Sequence, residues 1–233
     1  MDELTATLKG TGFSRSPWLE IGIDLLREGK LGEAREILEE EVARAEGASR
    51  LEAILYLTKV EYAAGRYGRM LALLEDYRPL FIAAGDHGLL AWFHMSRAAA
   101  RERTPAADGS HIDRAFLDYE QAIDHQLKTG DRQEAGGALN NMALMLHAAG
   151  RTAEAHEYVE RARGYFRDLP IRLAQADASE AEMFHAEGDR RESRRLALRA
   201  AAAFAEHGKE RLLNDLRPLL LWTLADHEGD TAR

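Results

Sequence analysis

With 233 residues, the chain is long enough to bury the core of one large or two small domains without the help of metal ions or disulfides. It contains no cysteine, which excludes thiol catalysis, cysteine-ligated zinc and a disulfide scaffold and agrees with a reducing compartment. Its net charge of -9 argues against a nucleic-acid-binding surface, because such surfaces carry a basic stripe.

The opening residues 1–15 show no clear hydrophobic period and are expected to form a loose N-terminal segment. They lack the basic and apolar regions of a secretory signal, and no later run approaches the ~18 apolar residues of a membrane span. We therefore expect a cytoplasmic protein that binds neither membrane nor nucleic acid. Alanine, leucine, glutamate and arginine dominate the rest, and no alternating β-branched stretch occurs, so the composition predicts an all-α fold.

Two blocks of the chain share one spacing of apolar and small residues. The first begins at Ser16 with the sequence SPWLEIGIDLLREGKLGEAREILEE, and the second begins at Ala138 with ALNNMALMLHAAGRTAEAHEYVERA. In the first block the shared positions are Trp18, Ile21, Gly22, Leu25, Gly29, Ala34 and Leu38; in the second they are Leu139, Met142, Ala143, Leu146, Gly150, Ala155 and Val159. The spacing predicts two helices around a glycine turn, with small residues that let the helices approach closely.

These blocks resemble the tetratricopeptide (TPR) motif. Three weaker copies complete the series, in which Thr58 and Glu61 of the second hairpin and Asp177 and Glu180 of the fifth depart from the motif. The resemblance implies an all-α, right-handed superhelical solenoid of about five TPR-like helical hairpins over residues 16–206. The predicted hairpins are about 16–48, 49–84, 86–129, 131–168 and 170–206.

Residues 208–227 are too apolar for a solvated end and predict a C-terminal helix that caps the core of the last hairpin. Pro218 either kinks this helix or starts a new one. The alternative is self-association into a homodimer through Leu220, Trp222 and Leu224.

In the TPR architecture, the first helix of each hairpin lines the concave face, so the resemblance implies that ligand contacts come from these helices. The candidate residues are Lys59, Tyr62, Phe93, His94, Arg97, Arg101, Asn140, Asn141, Leu144, His147, Glu182 and His185.

The adjacent Asn140 and Asn141 stand out because asparagine is a mediocre helix former unless its amide has another use. In related kinesin light chains and bacterial peptide-sensing regulators, asparagine in this part of the motif binds the backbone of an extended peptide, and Asn141 matches that position best. The alternative is a hydrogen bond to the neighbouring hairpin.

Arg97 and Arg101 lie one helical turn apart and predict a site for a carboxylate, with an ordinary solvated or internally paired helix face as the alternative. The carboxylate clamp of chaperone-binding relatives is not reproduced. Phe93 and Arg97 stand in place of its lysine and asparagine, and Gln175 and Ser179 in place of its later lysine and arginine.

No constellation for catalysis, metal or cofactor binding is apparent. His147 and His185 occupy matching positions in successive hairpins, which repetition alone explains, and no HExxH spacing occurs. Gly136 and Gly137 lack the lysine of a phosphate loop and predict a close contact between hairpins instead. We therefore expect no enzyme but an adaptor or scaffold that binds another protein or an extended peptide, of a bacterial signalling or regulatory type by resemblance. The alternative function is a self-assembling structural protein.

Overall fold

The computed structural model describes residues 16–224. The expected N-terminal segment 1–15 and the last three residues of the expected terminal helix 208–227 lie outside the described residues. Within 16–224 the chain forms eleven α-helices and no strand, which confirms the predicted all-α helical-repeat class.

The helix bounds are α1 Pro17–Arg27, α2 Leu31–Arg44, α3 Gly47–Ala63, α4 Tyr67–Ala84, α5 His87–Glu102, α6 His111–Lys128, α7 Arg132–Ala148, α8 Thr152–Tyr165, α9 Pro170–Glu187, α10 Arg190–Glu206 and α11 Glu210–Leu224.

Local sequence signals fix several helix ends. At the start of α1, the Ser16 hydroxyl accepts hydrogen bonds from the backbone N–H groups of Trp18 and Leu19, and Pro17 occupies the first turn. At the start of α5, the Asp86 carboxylate accepts one from the Leu89 N–H at 2.8 Å. The helix α9 ends at Gly188, whose φ of 83° lies in the left-handed region that glycine adopts without strain.

The chain divides into two compact units between Thr104 and Pro105, within the stretch 86–129 that the sequence predicts as the third hairpin. In the first unit, α1 to α5 pack in sequence order, and α3 also contacts α1 and α5. Leu38, Ile54 and Phe81 are buried in its core. A Cβ on Gly22 would lie 2.7 Å from Leu38 Cδ2, so the predicted close approach of α1 and α2 requires glycine there.

In the second unit, α6 to α8 and α9 to α11 pack in sequence order, while α9 also contacts α7, α8 and α11. Leu196, Ala197 and Phe204 form part of its buried core. The terminal helix α11 adds Leu216 and Leu219 to this core, so α11 covers the last hairpin as a capping helix does.

Among the helices of residues 16–224, none combines the length and hydropathy that a bilayer crossing requires.

Candidate functional site

In the first unit, the predicted contact residues of α3 are already engaged with aromatic rings. The Lys59 ammonium lies 4.3 Å from the ring centroid of Trp92 on α5 and 5.0 Å from that of Tyr56. Such cation–π contacts hold the lysine between the two helices. Tyr62 is 38% exposed and packs edge-on against Tyr67, with ring centroids 5.4 Å apart.

The predicted arginine pair of α5 lies against one carboxylate of its own unit. Glu75 Oε1 on α4 is 2.9 Å from Arg101 Nη2 and 3.7 Å from Arg97 Nη1. Arg97 is 5% exposed and stacks over Phe93, and its Nη2 lies 3.4 Å from Nδ1 of the buried His94. The structure therefore brings Arg97 and Arg101 together beside the carboxylate of Glu75, with which both form ion pairs.

In the second unit, the adjacent asparagines of α7 have different environments. Asn140 Nδ2 donates a hydrogen bond to Ser179 Oγ on α9 at 3.0 Å. Asn141 is exposed, and its side chain makes no hydrogen bond to any residue within 16–224. The two asparagines therefore differ: Asn140 hydrogen-bonds to the neighbouring hairpin, and the Asn141 amide faces solvent.

The other predicted residues of α7 and α9 surround these asparagines along the two helices. Leu144 is half-buried and Glu182 is exposed. His147 Nε2 lies 3.1 Å from Glu187 Oε1. The His185 ring packs on Trp222 of α11, with centroids 3.8 Å apart. Within the described part of the chain, no group of three or more histidine, cysteine or acidic side chains is arranged to hold a metal ion.

The residues proposed for self-association are partly covered by the chain itself. Leu220 and Trp222 are half-buried and pack against the core of the last hairpin. Arg190 lies over the Trp222 ring at 4.6 Å. The neighbouring Leu221 is 60% exposed, and the side chain of Leu224 lies outside the described residues.

A buried ionic network in the second unit lies where the fifth hairpin departs from the motif. Asp177 and Glu180 on α9 are 4% and 6% exposed, so their charges need partners. Arg163 Nη2 on α8 donates to Asp177 Oδ1 at 2.8 Å and to Glu180 Oε2 at 2.6 Å. Arg199 on α10 also donates to Asp177. The network therefore links three helices through charged hydrogen bonds.

His156 on α8 extends this network toward solvent. Its Nδ1 lies 2.9 Å from Glu180 Oε1 and its Nε2 lies 3.0 Å from Glu187 Oε1. A neutral imidazole has only one N–H, so both carboxylates are satisfied only by the imidazolium. Burial alone would lower the pKa of His156, but the hydrogen bonds to Glu180 and Glu187 outweigh burial and raise it.

Glu61 on α3 is the corresponding buried carboxylate of the first unit, at 1% exposure. It contacts Arg66, and its Oε1 lies 3.3 Å from Arg35 Nε and 3.9 Å from Arg69 Nε. The sequence signal for both networks was the acidic residue at a position where the motif expects an apolar or small one.

Comparison with solved structures confirms the fold. The chain is similar to a signal transduction ATPase with numerous domains (STAND) from Pyrococcus horikoshii that has a tetratricopeptide repeat sensor, with a TM-score of 0.75 and 12% identity over 88% of this chain. It spans 32% of that protein's chain. It is also similar to two structures of kinesin light chain TPR-like repeats from Podosopora anserina, with TM-scores of 0.65 and 0.63. Their identities of 22% and 23% extend over 82% of this chain and 95% and 94% of theirs.

No family model matches the sequence. No curated protein matches it either. The class that the helices and the structural neighbours define is the all-α helical repeat. Within that class, the fold is that of tetratricopeptide repeat proteins, as the two blocks at Ser16 and Ala138 predict.

Proposed function

We propose that the chain is a non-catalytic adaptor that binds an extended segment of another protein along α7 and α9 of its second unit, with Asn141 as the residue that hydrogen-bonds to the segment's backbone. The observation that carries this proposal is the exposed Asn141 amide, which is unpaired within residues 16–224 although its neighbour Asn140 is bonded to Ser179.

An asparagine amide offers an N–H donor and a carbonyl acceptor, which are the two groups that a peptide unit presents in return. Recognition of this kind is independent of side-chain sequence. The half-buried Leu144, one helical turn further along α7, offers an apolar contact beside it. The exposed Glu182 on α9 adds a negative charge that favours a basic segment, in keeping with the net charge of -9.

The likeness to a STAND protein with a tetratricopeptide sensor supports a role in signalling or regulation, and we extend the proposal to a bacterial, cytoplasmic setting. In this role the chain acts through contact with its partner.

The test is selection of peptides from a random library on the immobilised protein, followed by calorimetric measurement of Kd for the selected peptides. Asn141→Ala is compared with Asn214→Ala, which makes the same change at an exposed position on α11. We expect Asn141→Ala to weaken binding by about tenfold, the effect of about 1–1.5 kcal/mol for one hydrogen bond, and Asn214→Ala to leave Kd unchanged. Equal affinities of the two variants would show that the amide does not contact the ligand.

A further inference from the structure

A cavity of about 370 Å³ lies in the first unit between α2, α3 and α4. Its apolar lining includes Val42, Leu57 and Leu73. Two arginines of the lining, Arg50 and Arg69, belong to different parts of the cavity, because Arg50 contacts Tyr77 while Arg69 lies beside Glu61. Arg50 and Glu61 are eleven residues apart on one helix, a distance of about 16 Å along its axis.

At the Glu61 end, the charges neutralise one another. Arg69 Nη2 donates to Glu39 Oε1 at 2.9 Å, and Glu61 is surrounded by the guanidinium groups of Arg35, Arg66 and Arg69. Among the charged residues that line the cavity, Arg50 and Arg69 equal Glu39 and Glu61 in number, and because Arg69 is paired with Glu39, the unpaired positive charge of the lining is that of Arg50.

At the opposite end, Arg50 has no acidic partner within residues 16–224. Its Nε is buried and makes no hydrogen bond there. Its guanidinium carbon lies 5.6 Å from the centroid of the Tyr77 ring, which positions the group at the cavity. A buried guanidinium N–H without an acceptor is costly, and a carboxylate is the acceptor that its planar fork matches.

We propose that this cavity binds a carboxylate carried on an apolar body, with Arg50 pairing with the carboxylate and the lining of Val42, Leu57 and Leu73 contacting the hydrocarbon. The cavity volume lies in the range of small-molecule sites. Two sources share this chemistry: a small organic acid, and the terminal carboxylate of a peptide that ends in an apolar residue. The site shares no residue with the proposed peptide-binding helices of the second unit, so either proposal can fail alone.

The test is titration of the full chain with four probes, followed by NMR or calorimetry. The probes are hexanoate, its amide hexanamide, and N-acetyl-leucyl-leucine with a free or an amidated C-terminus. We expect each acid to bind at least about tenfold more tightly than its amide, and Arg50→Gln to weaken acid binding by about tenfold or more. Arg50→Lys keeps the positive charge but loses the planar guanidinium, so its affinity for the acids should lie between those of the parent and of Arg50→Gln. Arg78→Gln, at an exposed arginine of α4, is the matched control and should bind as the parent does.

If the free dipeptide binds more tightly than hexanoate, the natural ligand is a chain terminus; if hexanoate binds as tightly or more tightly, it is a small organic acid. The proposal is overturned if neither acid binds, or if the amides bind as tightly as the acids. It is also overturned if Arg50→Gln or Arg50→Lys, shown to be folded by circular dichroism, retains the full affinity. In a separate titration with inorganic phosphate, tighter binding of phosphate than of either acid would refute the apolar part of the site.

Discussion

Gly136 and Gly137 are neighbours in the second turn of α7, yet replacing them with alanine should have opposite effects. A Cβ on Gly136 would lie 2.5 Å from Phe166 Cε1 and 3.0 Å from Tyr165 Cβ, whereas a Cβ on Gly137 meets no atom within 4 Å. Phe166 is 2% exposed, so its ring has little room to move. Replacing a helical glycine with alanine should raise the free energy of unfolding by about 0.5–1 kcal/mol at either position, because alanine is the better helix former. Overpacking against Phe166 costs about 1–3 kcal/mol at Gly136 alone.

We therefore expect Gly137→Ala to stabilise the second unit by about 0.5–1 kcal/mol and Gly136→Ala to be about 1–3 kcal/mol less stable than Gly137→Ala. Urea titration followed by far-UV circular dichroism measures both, with equal m-values as the check that the unfolding reaction is unchanged. Phe166→Leu in the Gly136→Ala background should recover part of the loss, because leucine removes the ring edge that the new methyl group meets. Equal stabilities of the two alanine variants would refute the close contact between α7 and the end of α8.

Three further predictions concern the ionic networks and the terminal helix. His156→Gln should remove a pH-dependent contribution to the free energy of unfolding. Because the pKa of His156 is raised in the folded state, this contribution is fully present below the unfolded pKa of about 6.5 and is lost as pH rises through the folded pKa. In urea titrations, the parent should therefore be more stable than the variant at low pH, and the difference should shrink as pH rises. A constant advantage would contradict the two-carboxylate contact. For Leu221→Lys, we expect light scattering to give the mass of a monomer, as for the parent. Because Leu221 is 60% exposed, the free energy of unfolding should stay within about 0.5 kcal/mol of the parent's. If the parent is a dimer and this change dissociates it, the result favours the self-association alternative. In urea titrations, the free energy of unfolding of Glu61→Leu should lie within about 1 kcal/mol of the parent's, whereas Asp177→Leu should lower it by about 2–3 kcal/mol, because the arginine partners of Asp177 include the poorly exposed Arg163. A larger loss for Glu61→Leu than for Asp177→Leu would refute this reasoning.

The helices and their pairing could be predicted from the sequence because small and large residues recur at fixed spacings in the repeat. Gly22 leaves no space for a side chain against Leu38, and a small residue at the equivalent position of each specific block carries that information locally. The apolar residues of 208–224 likewise predicted a capping helix, because packing Leu216 and Leu219 on the last hairpin removes them from water.

The candidate site could be predicted only in part because pairing partners are distant in sequence. Glu75 lies 26 residues before Arg101, so no local sequence pattern predicts their contact. Neighbouring residues on a helix point about 100° apart, so of Asn140 and Asn141 only one can face α9. The sequence identified the pair, but the choice between its members depends on how α9 packs on α7.

The two acidic departures from the motif show that a repeat can hold a charge in its core for different physical reasons. Around Glu61, the side chains of Arg35, Arg66 and Arg69 are 28%, 36% and 56% exposed, so each arginine retains access to water if the carboxylate is removed. Arg163 is only 15% exposed and donates to Asp177 through Nε at 3.3 Å and Nη2 at 2.8 Å, so loss of Asp177 leaves the Nε group, which water reaches poorly, without its acceptor. The cost of removing a buried charge is therefore set by the exposure of the partners left behind, and this is why the two networks should respond unequally to the same substitution.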